Sequence, residues 1–255
     1  MDCFTYNKIH DYHSTMIDRN INFWSFFIII ISLVACASME DVAVIETMES
    51  DRDSSSTYTF LALGDSYTIG ESVKEVERWP MILADRIEIT GKEISKPKII
   101  ARTGWTTDEL SKGIDAAGLK EKFDIVSLLI GVNNQYRGRD VENFRSEFTE
   151  LLERAISFAY NKEKVFVVSI PDWGAMPFAL GRDEAKIRRE IDSYNQVVRE
   201  ESAKLNVKFI DITPISREAR EDPVLVARDD LHPSGKMYQR WVDEKIYPAV
   251  EDILR

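Results

Sequence analysis

Two short segments, far apart in the chain, hold the side chains of a nucleophilic mechanism. The apolar run Tyr58-Thr59-Phe60-Leu61-Ala62-Leu63 ends in Gly64-Asp65-Ser66, and Asp229-Asp230-Leu231-His232 lies near the other end. Together they offer a serine hydroxyl, an imidazole and carboxylates. A free hydroxyl is a weak nucleophile at neutral pH and needs a base beside it, and the base works best when a third group fixes its tautomer. His232 is the only histidine after residue 13. Imidazole acid/base chemistry in the folded part of the chain therefore falls to this one residue.

The elements that must position these groups follow from hydrophobic periodicity. Short apolar runs occur at 58–63, 98–101, 123–130, 164–170 and 207–211. Phe123 to Ile130 and Val165 to Val168 are nearly continuous in apolar residues, the pattern of strands buried on both faces of a parallel sheet. Helical stripes lie between them: Val141, Phe144, Phe148, Leu151, Ala155 and Phe158, then Ile187, Ile191, Tyr194, Val198 and Leu205. A last stripe, Tyr238, Trp241, Val242 and Ile246, follows Pro233, which suits a first helical turn, and Pro248 is expected to kink or end that helix. Alternating strands and helices predict an open α/β sheet covered by helices on both faces. In such sheets ligands bind beyond the carboxyl ends of the strands, and Ser66 follows the first predicted strand directly.

Four blocks in order resemble the GDSL or SGNH hydrolase family over essentially the whole domain. They are Gly64-Asp65-Ser66-Tyr67-Thr68, Gly104 within Arg102-Thr103-Gly104-Trp105-Thr106-Thr107, Gly131-Val132-Asn133-Asn134, and Asp229-Asp230-Leu231-His232. The resemblance implies a three-layer α/β/α, flavodoxin-like parallel sheet of about five strands, and ester hydrolysis. It also implies Ser66 as nucleophile, His232 as base and Asp229, by its spacing, as the orienting acid. Ser66, Gly104 and Asn133 would form the oxyanion hole. Preorganised donors of that kind are worth roughly 3–4 kcal/mol each in acyl transfer. Taken alone, Gly104 also reads as a turn glycine and Asn133 as a strand-end residue making a local bond. Asp65 is expected to anchor the turn through backbone bonds. Asn134 stands where the family usually has Asp, so the network around it is expected to differ.

The segment Pro171 to Ala179 follows a predicted strand at the same sheet edge. Trp173, Met176 and Phe178 are candidates either for a substrate pocket or for core beneath a loop, and Trp105 and Tyr136 are similar candidates. No metal constellation is legible, because no spare His or Cys joins the many carboxylates. No phosphate-cradling glycine loop is present, and no cofactor is expected.

The chain has 255 residues and a net charge of −11, which argues against a nucleic-acid partner. Residues 21–35 are strongly apolar, shorter than the roughly 20 residues of a stable membrane span but of the length of a secretion-signal core. Met16 is an alternative start. Leu33-Val34-Ala35-Cys36 resembles a bacterial lipobox, which implies a lipid anchor on Cys36; an uncleaved N-terminal anchor and plain secretion are the alternatives. The only other cysteine is Cys3, so no internal disulfide is possible in the mature domain. Residues 36–57 carry Glu40, Asp41, Glu46, Glu49, Asp51 and Asp53 against Arg52 and read as a solvated tether. The expected organisation is a signal peptide over 1–35, anchor and tether over 36–57, and a hydrolase domain over 58–255.

The expected protein is an envelope-facing, lipid-anchored serine esterase for small-acyl esters, such as acetylated sugars or short fatty esters. A lysophospholipase, thioesterase or acyltransferase of the same fold, and a non-catalytic glycan- or surface-binding domain, are the alternatives. Oligomeric state is open.

Overall fold

Five apolar runs become five parallel strands in the computed structural model: β1 (Phe60–Gly64), β2 (Lys98–Ala101), β3 (Ile125–Leu129), β4 (Val165–Val168) and β5 (Lys208–Ile210). The structure describes residues 57–254. The expected signal segment, Cys36 and the tether up to residue 56 lie outside the described residues.

The strand order is β2-β1-β3-β4-β5. Every residue of β1, β3 and β4 is buried, whereas β2 and β5 at the two edges are partly exposed. This explains their sequences. The central strands are apolar throughout because both faces are covered, and the edge strands begin with Lys98 and Lys208.

Direction decides where the helices lie. The chain steps one way from β1 to β2, then turns back past β1 to β3 and continues outward to β5. With right-handed crossovers, the first connection covers one face and the later ones cover the other. The first carries α1 (Ser66–Ile69) and α2 (Trp79–Glu88). The later ones carry α3 (Thr107–Ala117), α4 (Val132–Tyr136), α5 (Val141–Phe158) and α6 (Glu184–Lys204). In keeping with this, α3 packs on α5 and α5 on α6. The reversal between β1 and β3 is the switch point where ligands of such sheets bind. Ser66 leaves one of these strands and Asn133 the other.

Beyond β5 come α7 (Thr213–Arg217), α8 (Gly235–Trp241) and α9 (Tyr247–Ile253). Helices α8 and α9 pack against α2. Trp79 and Trp241 are fully buried here, and Trp79 meets Phe60 and Phe166 of the sheet. One of the two proline expectations needs correction. Pro233 lies just before the helix, where it bridges Val226, and Ser234 caps α8 by accepting from the Met237 N–H. Pro248 stands just after a break in the helical run, in keeping with the expectation that it kinks or ends the helix. A π-type turn over Val242–Ile246 shifts the register, and α9 restarts with Pro248 in its first turn, where the missing N–H costs nothing.

Candidate active site

A tight junction between β1 and α1 sets the position of Ser66. A Cβ on Gly64 would run into the Thr68 hydroxyl and stand 2.5 Å from the Leu129 carbonyl, so the strand can turn into the helix this closely only with glycine there. Asp65 caps α1, its Oδ1 accepting the Tyr67 N–H at 3.0 Å. The cap is fully buried. Burial pushes the Asp65 carboxyl up to about 7, against the lowering effect of the backbone N–H groups. Ser66 is the first residue of α1 and is 4% exposed. Its N–H is one of the starting donors that a helix leaves without an internal partner.

Asp229 and His232 form a compact unit on the loop before α8. Asp229 Oδ1 accepts the N–H groups of Leu231 (3.1 Å) and His232 (2.9 Å), and its Oδ2 faces His232 Nδ1 at 2.6 Å. The same Oδ2 accepts the Ser72 hydroxyl at 2.5 Å. Partial burial works against ionisation, but the His232 N–H, the Ser72 hydroxyl, the imidazole and the Leu231 N–H outweigh it. They hold the Asp229 carboxyl well below the usual carboxylate range. With Nδ1 engaged, Nε2 is the ring nitrogen left for acid/base work. Asp230 adopts a left-handed conformation with φ 62° and is exposed, separate from this unit. The Tyr67 ring supports the imidazole edge-on, with centroids 5.6 Å apart.

The second loop lies across from the serine. Gly104 has φ 86°, a conformation costly for other residues, and its carbonyl accepts from the Arg137 guanidinium at 2.6 Å. The Asn133 amide donates one hydrogen to the Trp105 carbonyl at 3.0 Å. A primary amide has two hydrogens, so one is left for a ligand. Thr103 donates to the Glu71 carboxylate, and the Glu71 N–H returns to the Ser66 carbonyl at 3.0 Å, which ties this loop to α1.

Asn134, the departure from the family pattern, is fully buried. It accepts the Thr107 N–H (3.1 Å) and donates to the Thr107 hydroxyl (2.6 Å) and towards Glu147 (3.4 Å). An amide both donates and accepts, so it joins the start of α3 to a carboxylate of α5.

Ser66, Gly104, Asn133 and His232 all line one cavity of about 190 Å³, which is also lined by Tyr136, Trp173 and Phe178. Asp229 stands behind the imidazole. The pocket expectation fails for two residues. Trp105 lies against Gly113 of α3, where only a glycine leaves room for the indole. Met176 is 3% exposed and belongs to the core. The sequence reading missed Ser72, whose lone hydroxyl follows no periodicity, and Arg137, which looks like any charged helix-end residue. It also missed Leu231, which lines the same cavity although it lies between Asp229 and His232 in sequence.

Comparisons with known proteins bear on the fold and the family. No curated protein matches. Among solved structures, TesA aligns at 18% identity and TM-score 0.60, over 76% of this chain and 99% of its own. The psychrotrophic esterase EstA from Pseudoalteromonas sp. aligns at 19% and 0.60, covering 77% of this chain and 98% of that one. Axe2, an acetylxylan esterase from Geobacillus stearothermophilus, aligns at 18% and 0.57, covering 78% and 94%. Identities this low speak to the fold. The GDSL-like lipase/acylhydrolase family pattern matches residues 62–240, most of the described domain. The chain therefore belongs to the GDSL-like lipase/acylhydrolase family and is a hydrolase of ester bonds.

Proposed function

We propose that this protein is a serine esterase that cleaves small-acyl carboxylic esters through an acyl-enzyme on Ser66. Ser66 Oγ attacks the ester carbonyl carbon while its proton passes to His232 Nε2. Negative charge collects on the former carbonyl oxygen, where the N–H groups of Ser66 and Gly104 and the free Asn133 amide hydrogen are its donors. The C–O bond to the alcohol breaks, and His232 returns the proton to the leaving oxygen. Water then gives a proton to His232 and attacks the acyl carbon. The acid departs and Ser66 recovers its hydrogen. Asp229 holds the imidazole and offsets its charge while it is protonated.

The observation that carries this reading is the Asp229–His232 pair, 2.6 Å apart, with the imidazole facing the same cavity as Ser66. The cavity's size favours short acyl groups. At about 190 Å³ it is smaller than the roughly 300–1,000 Å³ of sites that enclose drug-sized ligands. Aromatic rings on one wall suit a sugar or other cyclic alcohol, and the acetylxylan esterase among the structural neighbours supports an acetylated glycan as substrate.

The test is hydrolysis of a chromogenic ester series from acetyl to long acyl by the full chain and by Ser66→Ala and His232→Ala. Turnover that falls with chain length and vanishes in both variants is expected. Turnover equal in parent and variants overturns the mechanism, and a long-chain optimum overturns the substrate class. With this reading goes an envelope location through a lipid on Cys36, which a mass spectrum of the processed protein tests. An unmodified N-terminus downstream of Cys36 refutes it.

A further inference from the structure

Three rings on the cavity wall form one cluster. Tyr136 and Trp173 meet edge-on at 5.3 Å between centroids, and Phe178 lies 6.1 Å from Trp173 and 6.5 Å from Tyr136. Trp173 is the fixed member. It is 4% exposed, and its indole N–H donates to Gln135 Oε1 at 2.7 Å, while the amide of Gln135 donates to Glu190 at 2.8 Å. Tyr136 and Phe178 are the open members, 48% and 37% exposed. The cluster therefore reaches from the cavity wall to the solvent-facing rim.

The Arg182 guanidinium lies over all three rings, with centroids 4.9 Å (Phe178), 5.4 Å (Trp173) and 5.6 Å (Tyr136) away. Among the described residues no carboxylate pairs with it. Its acidic neighbours are otherwise engaged: Asp183 caps α6 through the Lys186 N–H, and Glu184 pairs with Arg220. Packing on ring faces immobilises a guanidinium without using the N–H groups in its plane. Those N–H groups form a fork that matches the paired oxygens of a carboxylate or phosphate. The chain as a whole carries −11, so a cation held on the rings of the cavity wall, with no carboxylate partner among the described residues, is a local exception to the surrounding field.

We propose that Arg182 is the specificity residue of this esterase, and that its preferred esters carry an anionic group, carboxylate or phosphate, where the substrate crosses the Tyr136–Trp173–Phe178 rim. The inference rests on the esterase reading for turnover but not for binding. The rings hold the body of the alcohol or acyl part, and the guanidinium holds its charged end. The scissile bond is left to the Ser66 side of the cavity.

The experiment compares four aryl acetates that differ only in the para group: 4-acetoxybenzoate, 4-acetoxyphenyl phosphate, and the neutral 4-acetoxybenzamide and methyl 4-acetoxybenzoate. Each is measured on the full chain, Arg182→Ala and Arg182→Lys. Taking each substrate's ratio of parent to variant removes the difference in leaving group. Arg182→Ala is expected to lower kcat/KM about tenfold for the anionic esters, mainly through KM, and to leave the neutral ones within about twofold. Added salt should shrink that difference, and Arg182→Lys should retain part of it. The carboxylate and phosphate arms show which anion is preferred. Equal losses on charged and neutral esters would mean that Arg182 only packs the rings, and would overturn the proposal. Calorimetric binding of 4-acetoxybenzoate to Ser66→Ala, with and without Arg182→Ala, separates the two readings. Arg182-dependent binding without any Ser66-dependent turnover refutes the esterase and keeps the anion site. Turnover with Arg182-independent binding does the reverse.

Discussion

The Ser72 hydroxyl and the His232 ring nitrogen converge on the same oxygen, Oδ2 of Asp229, at 2.5 and 2.6 Å. Ser72 lies in the loop that follows α1 and has φ 65°, a conformation that non-glycine residues rarely adopt. The contact fastens Asp229, in the loop before α8, to the segment carrying Ser66. Removing the hydroxyl should free Asp229 to rotate. For Ser72→Ala, kcat is expected to fall about tenfold with little change in KM, since a hydrogen bond to a charged group is lost. Ser72→Gly should lose the same activity but be about 1 kcal/mol more stable than Ser72→Ala, because glycine tolerates this backbone. Steady-state kinetics and urea titrations of the pair check both statements; parent-like kcat in either variant contradicts the first.

Asp229→Asn keeps the shape of the acid but lets the side chain donate where it must accept. The imidazole is then held in the wrong tautomer, and kcat is expected to drop by roughly 10⁴. The parent carboxyl is held below its usual range. A group lowered on folding stabilises the fold above its unfolded value and loses that effect as pH falls. The parent's stability advantage over Asp229→Asn should therefore be present at neutral pH and shrink below about pH 4. Thermal melts from about pH 3 to 7 read it, and a gap that grows on acidification would reverse the assignment.

Asp65 acts in the opposite direction. Its carboxyl rises from an ordinary 3.8 to about 7 through burial. A carboxyl that binds its proton more tightly when folded stabilises fully below its unfolded value, and that contribution fades as pH rises through the folded value. Asp65→Asn keeps the acceptor for the Tyr67 N–H without the charge. Relative to the parent it should gain stability between about pH 4 and 8, by an amount on the order of 4 kcal/mol. Urea midpoints across that range test this, and a difference that does not change with pH would show that Asp65 ionises freely.

Asn134→Asp brings in the residue usual for the family and should harm this chain. The donors to Thr107 and Glu147 disappear, and a newly buried carboxylate faces Glu147. A loss of about 1–3 kcal/mol is expected at neutral pH, recovering in acid as the carboxylate pair takes up a proton. A parent-like urea midpoint at about pH 7 would show that Glu147 is not the constraint.

The elements legible in the sequence are those whose residues serve one purpose. Val165 to Val168 is apolar because both faces of β4 are covered, and the stripe from Val141 to Phe158 marks the inner face of α5 over nearly its whole length. The Ser66, Asp229 and His232 blocks stand out because the proposed chemistry restricts residue type, and the structure brings Ser66 and His232 to one cavity with Asp229 on the imidazole. What escapes is any residue whose role comes from distant neighbours. Trp105 looks like a pocket residue, but its ring is claimed by Gly113 on α3. Ser72 and Arg182 have ordinary polar surroundings in sequence and gain meaning only from Asp229 and the aromatic rim. Pro233 suits a helix start by type, yet the hydroxyl of the next residue, Ser234, accepts the Met237 N–H, so the cap falls there and the helix begins at Gly235.

Ser66 follows the first strand, whereas Asp229 and His232 come after the last. A chain made from its N-terminus exposes Ser66 long before Asp229 and His232 exist. In the proposed mechanism the Ser66 hydroxyl gains its base only once the segment beyond β5 has docked. On the mechanism proposed above the fold has a safety catch: nascent or C-terminally clipped chains are expected to be chemically silent, with the onset of hydrolysis marking the completion of folding.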